Sequence, residues 1–321
     1  MHHLDLIKSA QNIILTTHIN SDGDGLGSEV AMYYALKKIN KNPQIIHNDK
    51  AADRYRFLFD QIDVWQIEDQ RSQKFIESAD LTMIFDTHDE KLCRPLFTAL
   101  EAKQISTLYV DHHVPAYKTA SHTHFLIDEN ASCTGEMVST IIEQLHVDLD
   151  HDIAKALYTS LMFDTQCFKF IRNSTKPFVM AKKLMAYDVD HGFIQKKLFE
   201  NWSVNKINFL AHLITQVEYL HNQKIAILRI HKKDLEQFHL EQDQANDVID
   251  FFMNIQSLQI AVVVREFGRD FYKLSFRSRS DFSILPWAQA FGGGGHLSSA
   301  GAWVHEPLKK IEDQLSELFR N

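Results

Sequence analysis

Cysteine is scarce in this chain of 321 residues, which contains three: Cys93, Cys133 and Cys167. Their number is odd and no two are spaced as CxxC, so we expect neither a disulfide framework nor a zinc ribbon. Long apolar runs are missing as well, since none approaches the ~18 residues of a membrane helix. The first residues show no basic stretch followed by an apolar one, so we expect no signal peptide. These absences predict a globular protein of the reducing cytoplasm with no membrane partner.

Net positive charge is also lacking. The chain has 34 Lys and Arg against 42 Asp and Glu, which gives a formal net charge of -8. Affinity for long nucleic acid depends mainly on neutralising phosphates with basic side chains, so this balance argues against binding of long-duplex DNA. A small or short anionic substrate is compatible with it if metal ions or local basic groups supply positive charge. Histidine, by contrast, is abundant at 18 residues, which invites a search for metal ligands.

The first half of the chain alternates short apolar runs with helical patterns. Four short runs are largely apolar, as buried parallel strands are, at 13–17, 44–47, 81–85 and 105–110. Helical patterns occupy 26–36, 137–145 and 153–163. This alternation predicts an α/β domain built on a doubly wound, mainly parallel sheet.

The last third of the chain restarts the alternation. Strands are predicted at 224–230, 260–267, 273–278 and 301–304, and helices at 248–252, 283–291 and 307–319. The intervening segment has a helical pattern with no Pro or Gly after Gly192, which favours a helical connection over a floppy linker. We therefore predict a first domain over 1–185, a helical linker over 186–220 and a smaller α/β domain over 221–321.

Acidic and imidazole side chains follow three of the predicted strands. They are His18, Asp22 and Asp24 after the first strand, Asp86 after the strand at 81–85, and Asp111, His112 and His113 after the strand at 105–110. Ligands of open α/β sheets bind outside the carboxyl ends of the strands, so we expect these groups to converge. A single aspartate in such a place is more often a turn or capping residue. The joint occurrence at three strand ends favours a site.

The residue types at these strand ends suit divalent metal ions. Mixed carboxylate and imidazole ligands fit Mn²⁺, Fe²⁺ or Zn²⁺, whereas all-oxygen sites fit Mg²⁺ or Ca²⁺ better. Asp22 and Asp24 are too close in sequence to point the same way in an extended chain, so each can take a different ion, with a carboxylate between them as a bridge. Two metal ions are the usual device for phosphoester hydrolysis, because they generate hydroxide from water and clamp the phosphoryl oxygens.

Several motifs resemble those of the DHH phosphoesterase family. HINSDGDGLGS, FDTHD and VDHH resemble the first three family motifs in order, and TSLMFDTQCF supplies the fourth aspartate, Asp164. DENASCTGEMV resembles the segment between the third and fourth motifs, and FRSRSDFSILPWAQAFGGGGHLSSAGAW resembles the DHH-associated C-terminal domain. The resemblance covers nearly the whole chain, and the closest subgroup is the nanoRNase/pAp-phosphatase type, whose members are two-domain chains of about this length.

The resemblance implies a site for two Mn²⁺ ions, with Mg²⁺ or Co²⁺ as alternatives. One ion would be held by His18, Asp22 and Asp86, and the other by Asp24, Asp86, His112 and Asp164, so that Asp86 is the bridge. His113 would donate a proton to the leaving group or polarise the phosphate, and Asp111 would orient a ligating imidazole. The roles of His88 and Asp89 stay open, although Asp89 could hold His112 or His113.

The C-terminal domain is expected to bind the phosphates of the substrate. The N–H groups of the glycine run can form an anion nest, and two arginines at i and i+2 of one strand can offer their guanidinium groups to phosphate. The alternatives are a loose loop for the glycines and an exposed basic edge strand for the arginines. The predicted substrate-binding residues are Arg277, Arg279, Gly293, Gly294, Gly295 and His296, while Trp287 is left open between the core and a base contact.

Together these features predict hydrolysis of very short oligoribonucleotides to mononucleotides, and of 3′-phosphoadenosine 5′-phosphate (pAp) to AMP. A phosphodiesterase acting on cyclic or linear dinucleotides is the alternative enzyme. A nucleotide-binding sensor without catalysis is the alternative of another class, but it predicts a lost metal ligand, and none of the expected positions is changed. The end from which RNA is attacked, the relative activities and the oligomeric state, including a homodimer, stay open.

Overall fold

A computed structural model describes residues 3–113, 123–171, 174–200, 202–279 and 282–319. The chain divides into two compact units, Met1–Asn201 and Trp202–Asn321. Within the described residues, no helix combines the length and the apolar character needed to cross a membrane.

The first unit is built on a six-stranded sheet in which every pairing is parallel. Its strands are β1 (Asn12–Thr17), β2 (Asn42–His47), β3 (Trp65–Gln66), β4 (Leu81–Phe85), β5 (Ser106–Asp111) and β6 (Thr123–Ile127). The spatial order is β3-β2-β1-β4-β5-β6, so the chain winds outward in one direction and then in the other from β1. This reversal puts the carboxyl ends of β1 and β4 at the switch point where α/β sheets bind ligands.

Helices flank this sheet and enclose its core. They are α1 (His3–Ser9), α2 (Gly23–Lys38), α3 (Gln70–Ile76), α4 (Leu96–Ala102), α5 (Thr134–Gln144), α6 (His151–Asp164), α7 (Lys176–Met185) and α8 (His191–Phe199). Helix α2 packs so closely on α6 that a Cβ at Gly27 would lie 2.5 Å from the carbonyl oxygen of Ala156. His47 and Glu29 form a buried polar pair in this unit, with His47 Nε2 2.6 Å from Glu29 Oε1.

The second unit contains a mixed six-stranded sheet in the order β11-β12-β10-β9-β8-β7, with β8 and β9 parallel and the other pairs antiparallel. Its strands are β7 (Glu218–Leu220), β8 (Ile225–Ile230), β9 (Ile260–Gly268), β10 (Phe271–Ser278), β11 (Gly294–Gly295) and β12 (Ser299–His305). Its helices are α9 (Val204–Ile214), α10 (Lys232–Gln237), α11 (Val248–Phe252), α12 (Leu285–Ala290) and α13 (Leu308–Leu318). Residues of α9 and α11 form a core with alternate residues of β8 and β9.

The predicted fold class, a doubly wound parallel sheet followed by a smaller α/β domain, is confirmed. The helix expected at 283–291 is shorter, at Leu285–Ala290, because Pro286 suits a first helical turn. The predicted boundaries at residues 185 and 220 stay a prediction. Within that segment, Ile194 and Leu198 of α8 belong to the core of the first unit, whereas Phe209 of α9 belongs to the core of the second.

Candidate metal centre

The loop after β1 brings His18 and Asp22 to the start of α2. Asp22 is the N-cap of this helix, and its Oδ1 accepts a hydrogen bond from the backbone N–H of Asp24 at 3.0 Å, which satisfies a donor of the first turn. The helix can begin this close to β1 because residue 25 is glycine: a Cβ there would lie 2.1 Å from Thr17 Oγ1. His18 Nδ1 lies 2.8 Å from the carbonyl of Ile19, so Nε2 is the nitrogen that faces the carboxylates.

Asp86 lies at the centre of the cluster, directly after β4. Its φ of 62° is in the left-handed region, which a non-glycine residue adopts only at a cost and which is frequent at functional sites. The backbone N–H donates to Val110 O of β5 at 3.0 Å, and this bond fixes the turn. Asp86 Oδ2 lies 3.5 Å from His18 Nε2, and Oδ1 lies 3.6 Å from His112 Nε2. One carboxylate thus faces two imidazoles on opposite sides.

A second, deeper group surrounds His112, whose side chain is 0% exposed. His112 Nε2 lies 3.4 Å from Asp24 Oδ2 and 3.7 Å from Asp164 Oδ2 at the end of α6. The ring is oriented by its other nitrogen, which is 3.1 Å from the carbonyl of Ala131. Asp24 is held by Ser160 Oγ, which donates to Oδ1 at 2.5 Å, and by the N–H of Thr134, which donates to Oδ2 at 2.8 Å.

Burial makes these acids weak. It raises the pKa of Asp24 to about 6, although the nearby imidazole of His112 partly offsets the effect. Burial, followed by the charges of the neighbouring aspartates, also holds the pKa of Asp86 well above that of an ordinary carboxyl group. Several carboxylates packed together in a buried place repel one another, and bound cations would relieve this repulsion.

The spacing of the donor atoms fits metal coordination better than direct hydrogen bonding. The imidazole-to-carboxylate distances of 3.4 to 3.8 Å are too long for good hydrogen bonds. Two ligands of one ion, each ~2.1 Å from it, lie about 3.0 to 3.4 Å apart, and most of the distances here are slightly longer than that. Among the compact groups of donor atoms are His18 with Asp22 and Asp86, and Asp24 with Asp86 and His112, each within 4.8 Å. Asp86 belongs to both groups, whereas Asp22 belongs to the first and Asp24 to the second.

Asp111, fully buried at the end of β5, holds two imidazoles beside the cluster. Its Oδ1 accepts from His113 Nδ1 at 2.7 Å and from the N–H of His112 at 2.8 Å, while Oδ2 is bonded to His88 Nδ1. Burial alone would raise the pKa of Asp111, but His113 and His88 hold it well below its usual value. Asp111 in turn outweighs the effect of burial on His113 and raises its pKa to about 9.

His88, which the sequence left open, is therefore part of the site. Its only signal in the sequence is an imidazole two residues after Asp86 in FDTHD. Asp89 has a different role from the one considered for it, because its Oδ1 accepts from the N–H of Lys91 at 2.9 Å and caps the short 3₁₀ turn that follows.

In the second unit, the strand pairing places Arg277 opposite Ser299, whose carbonyl accepts a hydrogen bond from the N–H of His296 at 2.7 Å. Arg277 and His296 thus belong to the same end of the sheet. The Arg277 guanidinium is paired with Asp250 Oδ1 at 3.0 Å. The glycine run forms a tight hairpin in which Gly294 and Gly295 pair with β12, and φ is 74° at Gly292 and 134° at Gly295.

Two other residues of this unit have mainly structural contacts. The Arg279 guanidinium donates to the carbonyls of Leu258 at 2.6 Å and Ile255 at 3.0 Å, close to the end of α11. Trp287 is 8% exposed and packs against Phe276, Phe282 and Phe319, so it belongs to the core.

Two family models match most of this chain. The model of the DHH family, N-terminal domain, matches residues 12–161, and that of the DHHA1 domain matches residues 222–321. The bifunctional oligoribonuclease and PAP phosphatase NrnA of Thermus thermophilus is 24% identical over 93% of this chain and 86% of its own length. The cyclic-di-AMP phosphodiesterase GdpP of Geobacillus thermodenitrificans is 25% identical over 99% of this chain, which spans 48% of that protein.

Solved structures share the fold. An exopolyphosphatase-related protein from Bacteroides fragilis superposes with a TM-score of 0.86 at 20% identity, over 98% of this chain and 94% of that one. RecJ of Thermus thermophilus in complex with Mn²⁺ superposes with a TM-score of 0.56 at 13% identity, over 98% of this chain and 53% of that one.

Proposed function

Because this chain belongs to the DHH family, whose members are metal-dependent phosphoesterases, and also carries a DHHA1 domain, we propose that it hydrolyses very short oligoribonucleotides and pAp with two divalent ions. The observation that carries the proposal is the pair of donor groups that share Asp86. A single buried carboxylate that faces two imidazoles is the arrangement expected of a bridging ligand.

The proposed ligands follow the two donor groups. His18, Asp22 and Asp86 hold the first ion, and Asp24, Asp86, His112 and Asp164 hold the second. When bound, the ions supply a hydroxide nucleophile at neutral pH and neutralise the phosphoryl oxygens. Mixed nitrogen and oxygen donors favour Mn²⁺, and RecJ, a protein of the same fold, is known in complex with Mn²⁺.

His113 is the proposed proton donor. Its Nδ1 is bonded to Asp111 at 2.7 Å, which fixes the orientation of the ring beside the cluster, and its side chain is 30% exposed. The raised pKa of about 9 favours the protonated ring at neutral pH, although two bound dications would oppose this charge. A protonated imidazole can hydrogen-bond a phosphate oxygen or give its proton to the departing oxygen.

The proposed substrates are short because the chain has few means of binding a long polyanion. Its net charge of -8 disfavours extended phosphate backbones. Arg277, the Gly293–Gly295 hairpin and His296 are the proposed phosphate-binding group of the second unit. Arg279 was predicted with them and stays a proposal, with the reservation that its guanidinium already binds backbone carbonyls. The Thermus NrnA, similar over most of this chain, is named for both oligoribonuclease and PAP phosphatase activities.

A phosphodiesterase acting on cyclic or linear dinucleotides is the second candidate, supported by the similarity to GdpP. A parallel Mn²⁺-dependent assay on pAp, a linear dinucleotide, cyclic di-AMP, a 5-mer and long RNA separates the two. We expect turnover of pAp and of the linear oligomers, with little activity on long RNA. Comparable rates on long RNA would contradict the proposal, and activity confined to dinucleotides would favour the second candidate.

The metal assignment is tested by Asp86→Ala, which removes the proposed bridge and should abolish hydrolysis of every substrate. Asp89→Ala is the matched control, because it removes a carboxylate of the same FDTHD motif that caps a turn. Turnover near that of the wild type in Asp86→Ala would contradict the two-metal site.

A further inference from the structure

Four aromatic rings lie together on the sheet of the second unit, and we call them the aromatic patch: Phe267 of β9, Phe271 of β10, and Trp303 and His305 of β12. Their centroids are 4.6 Å apart for Phe267 and Trp303, 5.3 Å for Phe271 and Trp303, and 4.2 Å for Phe271 and His305. The last two pairs are stacked, with interplanar angles of 23° and 14°. Trp303, Phe271 and His305 thus form a row of roughly parallel rings that ends in the exposed His305, whereas Phe267 meets Trp303 edge-on at 73°.

The patch belongs to the side of β10 and β12 that does not form their buried core. Along β10, burial alternates with every residue: Tyr272, Leu274 and Phe276 are buried, whereas Phe271 and Lys273 are only half-buried. Because side chains alternate between the two faces of a strand, the half-buried residues share one face. The rings of the patch are therefore accessible in part, as a surface for a ligand must be.

Positive charge lies among the rings. Lys273 is paired in register with Trp303, and its ammonium group lies 5.4 Å from the centre of the Trp303 ring. Flat rings next to a cation match a nucleotide, whose base can stack and whose phosphate needs a positive partner.

The same face of β10 also carries Arg277. Arg277 and Lys273 are four residues apart on one strand, which is about 13 Å. Between them, Ser275 is paired with Gly301 of β12 and with Val263 of β9, so the neighbour on the β12 side has no side chain. Since a single nucleotide is too short to reach from one cation to the other, a ligand that contacts both must contain more than one nucleotide.

We propose that the aromatic patch and Lys273 form a base-stacking subsite for single-stranded oligoribonucleotides, distinct from the phosphate-binding group at Arg277 and His296. A base stacks on the Trp303–Phe271–His305 row, and Lys273 binds an adjacent phosphate. This inference rests on the proposed function, since it assigns a place to the part of an oligonucleotide that pAp lacks. It predicts that the patch contributes to binding of oligomers and contributes nothing to pAp.

The test measures affinity of the full chain for labelled RNA 2-mers, 3-mers and 5-mers in EDTA, where hydrolysis is blocked, and kcat/KM for pAp with Mn²⁺. Trp303→Leu removes the stacking ring, and Trp303→Phe is its matched control because it keeps one. Loss of one stacked base should weaken binding of the 3-mer or 5-mer by about fivefold or more. The kcat/KM for pAp should be unchanged, which also shows that the variant is folded.

Lys273→Met tests the charge separately, with Lys309→Met as its control, because Lys309 is a lysine of α13 whose side chain is 81% exposed. In a plot of the logarithm of the RNA-binding constant against the logarithm of the salt concentration, the slope should decrease in magnitude by about 0.7 for Lys273→Met and stay unchanged for the control. This is the change expected when one phosphate contact with a single strand is lost. A merely structural lysine would not change this slope. Should Trp303→Leu fail to fold, His305→Ala, at the exposed end of the row, replaces it.

The outcomes separate the two proposals. Equal oligomer affinity in wild type, Trp303→Leu and Lys273→Met, with oligomers turned over normally, would overturn the subsite and leave the proposed function intact. A wild-type chain that hydrolyses neither pAp nor oligomers would refute the proposed function instead. An equal loss of pAp and oligomer activity in Trp303→Leu would also overturn the subsite, because it would indicate a general structural role.

Discussion

Replacing His88 by leucine should lower kcat by about 10- to 100-fold, the usual loss when a residue that orients a functional side chain is removed. His88 and His113 bind different oxygens of the Asp111 carboxylate. Without His88, the buried Oδ2 loses a hydrogen bond to a charged group, which contributes about 1.5–3 kcal/mol. The carboxylate can then turn toward other donors, and His113 loses its fixed orientation. Because the proposed metal ligands are untouched, KM and Mn²⁺ affinity should change little.

Steady-state hydrolysis of pAp over a range of Mn²⁺ concentrations measures this effect. His88→Asn should recover part of kcat, because the asparagine amide nitrogen can occupy the place of Nδ1 and donate to Asp111. His151→Leu is the control, since this imidazole on α6 contacts the carbonyl of Tyr187. Wild-type kcat in His88→Leu, or an asparagine variant no better than the leucine variant, would contradict the orienting role.

Two further predictions concern metal content and pH. Asp22→Ala should reduce bound Mn²⁺, measured after equilibrium dialysis, from two ions per chain to one; two ions in this variant would contradict the division of ligands. His47→Leu should destabilise the fold by about 3–5 kcal/mol, because it leaves the buried Glu29 without its partner. Burial opposes the positive charge of His47, but the attraction of Glu29 outweighs burial and raises the pKa of His47. The stabilisation that the charged pair gives the fold is therefore present below about pH 6.5 and is lost as the pH rises through the raised pKa. Urea unfolding in EDTA should therefore show a smaller difference between wild type and variant at alkaline pH, and a constant difference would contradict this linkage.

The strands and the acids behind them could be predicted because both depend on local patterns. Buried parallel strands are continuously apolar, and their shared carboxyl edge accounts for the proximity of His18, Asp86 and His112. Strand β6 was missed because it lies at the edge of the sheet, where THFLI is only partly buried and has no continuous apolar signature. Strand β3 has two residues, too few for any period to show.

Contacts between residues far apart in the sequence could not be predicted. The bond between His88 and Asp111 depends on the pairing of β4 with β5, and nothing in FDTHD distinguishes this imidazole from an exposed one. Arg279 illustrates the opposite case: the spacing of the two arginines indicates a phosphate site, yet its guanidinium binds the carbonyls of Leu258 and Ile255. Trp287 likewise was undecided until its packing against Phe276 was known.

The weak acidity of the buried cluster makes metal loading a proton-exchange reaction. Burial raises the pKa of Asp24 to about 6 and also raises the pKa of Asp86, so incoming cations would have to displace protons from these carboxyl groups. At a limiting Mn²⁺ concentration, occupancy of the proposed centre should therefore fall as the pH falls. Because Asp86 is the ligand proposed for both ions, binding of the first would remove the proton of Asp86 before the second binds, while the charge of the first ion would oppose the second. Metal occupancy of the proposed site would therefore depend on the pH and on the metal concentration together.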